Sequence, residues 1–360
     1  MSGAVIQDRP APAGAPAISC RGVWQVFGVN ARASLDLALG ETGGDTAATA
    51  RLLRQRGLIP AVQDITFDVA EGEVFVIMGL SGSGKSTLIR TIARLIDGTA
   101  GEIRIAGEDI LTADARRLLA LRRDKLGMVF QHFGLFPHMT VAENVAFPLK
   151  MQGMGPEQRR ARALEVLELV SLKGREDSFP RQLSGGQQQR VGIARSLAVN
   201  PDLWFLDEPF SALDPLIRRQ LQDEFLSIQA DLGKTSVFIT HDISEALKIA
   251  DRIAIMRDGV LVQIGTPDDI VLNPVNDYVR EFTRDVPKGR HAHVETIMTL
   301  PASLPRMPDD PGLRANMTID SALAACMSLY QPVPVWGANG EIAGVVKPSD
   351  LASALTPDEL

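Results

Sequence analysis

Cysteine is close to absent from this chain. Its 360 residues hold two, Cys20 and Cys326, far apart and without metal-ligand spacing. A disulfide framework is therefore excluded, and two isolated thiols suit a reducing compartment. Aromatic residues are scarce at 5%, and the formal net charge is −7. With no basic stripe interleaved with aromatics, the composition argues against a nucleic-acid partner. Long apolar runs are missing too: none approaches the roughly 20 residues that cross a bilayer. Residues 1–17 are rich in Ala, Pro and Gly but lack a basic segment followed by an apolar one. They are expected to be a disordered leader and not a signal peptide, which predicts a cytosolic protein free to dock on a membrane partner. The remaining composition, 45% hydrophobic and 22% charged, is that of a globular chain long enough for two or three domains.

What is present centres on Gly79-Leu80-Ser81-Gly82-Ser83-Gly84-Lys85-Ser86-Thr87. Residues 74–78 before it are β-branched and apolar, a buried parallel strand, and residues 88–96 after it carry apolar positions at helical spacing. Strand, glycine loop and helix make G-x-x-x-x-G-K-[ST] a phosphate-binding motif. Its glycines let backbone N–H groups wrap phosphates, and the helix start at Ser86 adds free N–H groups and a positive dipole end. Lys85 sets a charge against the β- and γ-phosphates, and the Ser86 hydroxyl is a ligand for Mg²⁺.

The rest of the chain alternates strands and helices, so a doubly covered, mostly parallel α/β sheet with some antiparallel strands is expected. Residues 18–27 read as the opening strand, 45–55 as a helix stopped by Gly57, and 61–69 as an antiparallel strand. Residues 101–111 read as a strand pair with a glycine turn, and 124–130 as a strand running into Gln131. From about 132 to 199 the pattern turns helical, with a helix opened by Pro156, faced by Leu164, Leu167 and Val170 and ended by Gly174. Apolar strands then return at 203–206, 236–239 and 253–256. Beyond about 284 the character changes: 285–312 reads as a linker, and 319–355 as a small unit. That unit is read as a helix at 322–330, a strand at 333–336, a Gly337–Gly340 turn, a strand at 342–346 and a helix capped at Ser349.

Phosphoryl transfer needs a metal, an oriented water and charge stabilisation at the γ-phosphate. Asp207 and Glu208 end an apolar strand, at the edge that faces a phosphate loop in such sheets. Asp207 is expected to hold Mg²⁺ and Glu208 to polarise the attacking water. Gln131, at another strand end, is placed to touch Mg²⁺ or that water, and His241 ends a third strand. Ser184-Gly185-Gly186-Gln187 is a second glycine turn before a helix, another anion-binding end. One chain already holds a complete phosphate loop, so this second turn is expected to close over the nucleotide of a partner in a two-fold dimer.

These motifs, Gly79–Thr87, Gln131, 183–190, 206–209, 211–214 and His241, stand in the order of an ABC-transporter ATPase subunit and resemble its Walker A, Q-loop, signature, Walker B, D-loop and switch histidine. The resemblance covers residues 18–284 and implies a P-loop NTPase fold, ATP and Mg²⁺ as ligands, and nucleotide contacts from Asp214 and His241. It also implies an aromatic stacked on adenine; Phe27 matches that position and Trp24 is the second choice. Within the superfamily the chain resembles quaternary-amine (glycine betaine, proline betaine, choline) importers. This rests on the insert between Phe27 and Ala61, on Leu80-Ser81 inside the loop, and on the 210–218 and 273–279 segments. A peripheral position on the cytoplasmic face of the inner membrane, a permease and, indirectly, an external solute-binding protein follow from it. Phe133, Phe136 and Phe147 are candidates for the permease contact. Residues 313–360 resemble a single CBS motif, Asp350 matching a ribose-holding position; no second copy is evident, so a structural tail remains open. An importer for methionine or a polyamine, or a soluble ABC ATPase, also remains open.

Overall fold

The computed structural model describes residues 15–131, 133–300, 312–326, 332–337 and 339–355. They form two compact units, one ending at Val262 and one beginning at Gln263. β1 (Ile18–Phe27), α1 (Ala31–Thr42), α2 (Thr46–Gln55) and β2 (Ile59–Val69) open the first unit. The sequence predicts only the second of these helices. In α1 the residues Ala33, Leu35, Leu37 and Leu39 alternate, a strand-like period, and only Leu35 and Ala38 are buried. Asp45 caps α2 by accepting from the Ala48 N–H, as a helix start there requires.

β3 (Val74–Met78) runs through the glycine loop into α3 (Lys85–Ile92). The helix starts one residue ahead of Ser86. Next come β4 (Ala100–Ile105), β5 (Glu108–Asp109), α4 (Ala115–Asp124) and β6 (Leu126–Val129). Asp124 belongs to the end of α4, so the strand before Gln131 is shorter than its sequence suggests. α5 (Val141–Met151), α6 (Pro156–Leu169) and α7 (Gly185–Leu197) lie in the chain between β6 and β7 (Leu203–Asp207). α6 stops at Leu169, ahead of Gly174, because Ser171 takes the left-handed conformation (φ 57°) that a helix stop requires. Leu164, placed on its apolar face by the sequence, is exposed. α8 (Pro215–Leu232), β8 (Thr235–Thr240), α9 (Ile243–Ile249), β9 (Arg252–Arg257) and β10 (Val260–Gly265) follow.

The larger sheet has the order β10-β9-β3-β8-β7-β6, with β9-β3, β3-β8, β8-β7 and β7-β6 all parallel. β3 and β7 are buried along their whole length, which is why they read as unbroken apolar runs. The second sheet, β2-β1-β4-β5, is antiparallel. Phe67 of β2 and Phe75 of β3 stack between the two sheets, centroids 4.9 Å apart and planes 6° from parallel. The Arg252 guanidinium lies 5.4 Å from the Phe75 centroid and pairs with Glu73 at 3.1 Å. Burial pushes the Glu73 carboxyl up, and its bonds to the Ala70 N–H and Arg252 pull it back.

The second unit continues through α10 (Pro267–Leu272), α11 (Asp277–Thr283), α12 (Lys288–His291) and α13 (Val294–Ile297). β11 (Leu313–Arg314), α14 (Ile319–Cys326), β12 (Val333–Trp336), β13 (Ile342–Val346) and α15 (Pro348–Leu355) complete it. β11 is parallel to β12, and β12 antiparallel to β13. The linker reading of 285–312 is corrected here. Ala292 and Val294 are fully buried in one core with Ile319, Val335 and Leu351, and Thr299 bridges to Val345. Residues 301–311 lie outside the described residues, as do 1–14 of the leader and 327–330 of the 322–330 helix. α15 begins at Pro348, a favoured first helical position, so Ser349 is inside the helix and not its cap.

Phe75→Ala would remove the ring that joins the two sheets. We expect it to destabilise the first unit by about 3–5 kcal/mol, measured by urea denaturation.

Candidate nucleotide site

Parallel pairing brings the strand ends together. Met78 of β3 lies opposite Thr240 of β8, and Asp207 of β7 opposite Ile239. The Gly79–Gly84 loop then folds back over the start of α3. A Cβ on Gly79 would fall 2.3 Å from Met256 O and 2.7 Å from Ser83 Oγ. One on Gly84, where φ is 100°, would fall 2.3 Å from Ala61 O. Gly82 faces open space, but its φ of 81° is glycine's. Leu80, Ser81 and Gly82 are exposed at the tip, and buried Ser83 leaves its Oγ without a partner. Thr87 sits in the first turn of α3, its carbonyl accepting from Thr91 Oγ1.

Lys85 is 4% exposed, its Nζ donating to Gly79 O (2.8 Å) and Leu80 O (3.0 Å). Glu208 Oε1 lies 3.9 Å from the same Nζ. Burial lowers the Lys85 pKa, and Glu208 and Asp207 pull it back up. Ser86 Oγ donates to Asp207 Oδ1 at 2.8 Å, while Arg90, one turn further along α3, donates to Asp207 Oδ2 at 3.1 Å. The sequence reading missed Arg90. The signal was its i+4 spacing from Ser86, which puts both on one helix face.

Glu208 takes a left-handed backbone (φ 47°), and its Oε2 lies 3.2 Å from His241 Nδ1, accepting from it in the tautomer that carries the hydrogen there. One carboxylate thus lies between the phosphate-loop lysine and the histidine that ends β8. Gln131 is half-buried just past the end of β6, beside β7.

Ser184 is the N-cap of α7 and closes a capping box: its Oγ accepts from Gln187 N–H, and Gln187 Oε1 accepts from Ser184 N–H. Gly185 is exposed; a Cβ on Gly186 would fall 2.5 Å from Ile217 Cγ2. These bonds and contacts tie the turn to its own helix and to the 213–217 segment, not to Gly79–Thr87. Asp214 likewise caps α8, accepting from Leu216 and Ile217 N–H at 3.1 Å each.

The two aromatics proposed for adenine differ in access. Trp24 is buried with Leu35, Ala38 and Leu53 beneath α1 and α2, so no face is free. Phe27 is 41% exposed at the end of β1.

The donors fit the implied ligands. The Ser86 hydroxyl, the Asp207 carboxylate and the amide carbonyl of Gln131 are oxygen ligands, which suits Mg²⁺, a cation that keeps several waters and takes phosphate oxygens. Among the described residues no three His, Cys, Asp or Glu side chains gather to hold a metal.

The family model described as ABC transporter matches residues 62–211. The chain is 50% identical to the trimethylamine N-oxide transport ATP-binding protein TmoW of Pelagibacter ubique, over 93% of this chain and 96% of that protein. With TmoW of Ruegeria pomeroyi the identity is 59% over 78% and 81%, and with the glycine betaine transport ATP-binding protein OpuAA of Bacillus subtilis 50% over 73% and 62%. A dimeric ATP-binding cassette, MJ0796, bound to ADP and phosphate is similar in structure, with a TM-score of 0.58 and 34% identity over 69% of this chain and 98% of that one. Motif order, strand-end geometry and these likenesses agree, and the chain belongs to the ATP-binding subunits of ABC transporters, in their quaternary-amine uptake group.

Proposed function

We propose that this chain energises uptake of a small N-methylated solute, in the class of glycine betaine, proline betaine, choline and trimethylamine N-oxide, through a membrane permease. Family membership makes it an ATPase that binds ATP with Mg²⁺, converts it with water to ADP and phosphate, and works in a dimer with permease subunits. The finer roles are our reading. They rest above all on Glu208 standing between Lys85 and His241.

In that reading Glu208 accepts a proton from the attacking water, and His241 orients Glu208. Lys85 leaves the loop carbonyls to meet the β- and γ-phosphates. Bound Mg²⁺, held by Ser86, Asp207 and Gln131, would neutralise phosphate charge. The loop Gly79–Thr87 supplies N–H groups to the phosphates, and Phe27 stacks on adenine. Ser184, Gly185, Gly186, Gln187 and Asp214 of one copy face the nucleotide of the other in a head-to-tail dimer.

The permease contact is assigned to an apolar groove of about 690 Å³ between the helical insert and the α4–β6 segment, lined by Leu119, Phe130, Phe136, Phe147 and Met151. Gly134, three residues past Gln131, also lines it, so a seated permease helix would press on the chain segment leading to the metal ligand. Phe133 is no part of that lining; its ring reaches towards Gly185 instead. Among the described residues no helix is long and apolar enough to cross a membrane. Docking on the permease is what would hold the chain, peripherally, at the cytoplasmic face, with the solute-binding protein acting from outside. The 18–284 and 313–360 divisions remain our assignment of ATPase and single CBS-like portions.

Glu208→Gln should keep ATP affinity within about twofold and lower turnover at least a hundredfold, read by nucleotide binding and phosphate release; unchanged hydrolysis would remove Glu208 from its role. Phe27→Ala should weaken ATP binding by about 1–3 kcal/mol, as loss of one base-stacking ring does, with Phe27→Trp restoring it. In cells lacking the chromosomal copy, the wild-type chain should restore uptake of labelled trimethylamine N-oxide or glycine betaine. Restoration of methionine or polyamine uptake alone would overturn the solute class.

A further inference from the structure

Behind the Glu208–His241 pair lies a side chain that neither the motifs nor the phosphate chemistry uses. Arg218 stands one turn into α8. Its Nη1 donates to Asp242 Oδ2 at 3.3 Å, and its Nη2 to the carbonyls of Leu213 (3.2 Å) and Ser211 (3.5 Å). Its Nε is buried without a partner. The side chain is 29% exposed and that of Asp242 34%, so this is a half-screened pair, not a surface one.

What the arginine joins is specific. Asp242 follows His241 directly and caps α9, its Oδ1 accepting from the Ser244 and Glu245 N–H groups. Ser211 is locked to Glu208 from the other side, its N–H and Oγ both donating to Glu208 O. A closed ring results: Glu208 to Ser211, Ser211 to Arg218, Arg218 to Asp242, along the chain to His241, and back to Glu208 through the 3.2 Å contact. A planar guanidinium suits this place, because its separate nitrogens reach a carboxylate on one side and two carbonyls on the other; an ammonium has three donors but they radiate from a single atom and cannot span that separation in the same way.

We propose that Arg218 is a positioning residue for hydrolysis, one that sets the His241 ring against Glu208 by fixing Asp242 relative to the 211–213 turn. Its hydrogen bonds run to Asp242, Ser211 and Leu213, and it acts through Asp242. The inference deepens the reading of Glu208 and His241 given above and rests on it. Loss of the brace should therefore affect the chemical step and leave nucleotide binding to the phosphate loop alone.

The test uses the full chain and four variants: Arg218→Gln, Arg218→Lys, Asp242→Asn and the double variant Arg218→Gln/Asp242→Asn. Glu208→Gln runs beside them as reference. Arg218→Gln should lower kcat about tenfold or more with ATP KM and ADP affinity within twofold. Asp242→Asn should lower kcat too, and the double variant should be no slower than the slower single one, because both act on one contact. Arg218→Lys should recover part of the rate by keeping the ion pair. In spectra of ¹⁵N-histidine-labelled protein, the His241 ring signal should shift in Arg218→Gln. Unchanged kcat in Arg218→Gln would overturn the proposal, as would multiplicative losses in the double variant, or a fall in ADP affinity that matches the fall in rate. If Arg218→Gln fails to fold, Arg218→Lys and Asp242→Asn decide between the same outcomes through the kcat-against-KM split. Full turnover in Glu208→Gln would instead sink the underlying reading; lost turnover there with normal Arg218→Gln kinetics would sink this inference alone.

Discussion

Parallel pairing of β3, β8 and β7 is the constraint from which the site follows. Hydrogen bonds set Met78 level with Thr240 and Asp207 level with Ile239, so three chain segments leave the sheet at one edge, side by side. Glycine then turns the first segment back over α3. β7 delivers Asp207 and Glu208, and β8 delivers His241. No long side chain has to reach far. Lys85, Ser86, Glu208 and His241 meet because neighbouring parallel strands are about 5 Å apart and end together.

Such a meeting concentrates charge where water is scarce. Asp207 has no exposed surface, and it is tolerated because Ser86 and Arg90 each give it a hydrogen bond. Lys85 is nearly as buried and makes do with two carbonyls and a carboxylate at 3.9 Å; its burial lowers its pKa, and the carboxylates recover only part of the loss. These groups are held half-satisfied. Ser83 Oγ and the Lys85 ammonium are better matched by phosphate oxygens than by anything this chain gives them. The same logic separates Trp24 from Phe27: one ring completes a core under α1 and α2, the other is left open at a strand end.

Much of this was legible in the sequence, for physical reasons that differ by element. The buried strands β3 and β7 announce themselves by unbroken apolar runs, and the glycine loop by a spacing that only a strand-to-helix turn satisfies. The helix α1 did not, because its leucines alternate and only one of them is buried. Gly174 looked like a helix stop, yet Ser171 took the left-handed turn. The 285–312 segment read as a linker, while Ala292 and Val294, too few to show a period, are core. Arg90 and Arg218 were hidden for another reason. Spacing can set an arginine on the right helix face, as it does Arg90 beside Ser86, but what the guanidinium grips shows only once the partner strands are in place.

In the head-to-tail reading proposed above, a single copy leaves the chemistry unfinished. The Ser184 turn and Asp214 each spend a side-chain oxygen on their own helix starts, Ser184 on Gln187 and Asp214 on Leu216 and Ile217. What they leave outward is backbone N–H at a helix N-terminus, and Gly185 is bare of side chain there. Such ends favour anions, and within this chain their bonds lead away from the phosphate loop. The 211–214 turn lies between this second anion-binding end and Glu208, and Arg218 grips it from behind. A second copy seated against it would therefore meet a segment hydrogen-bonded to the backbone carbonyl of Glu208 and, through Arg218 and Asp242, to the histidine loop.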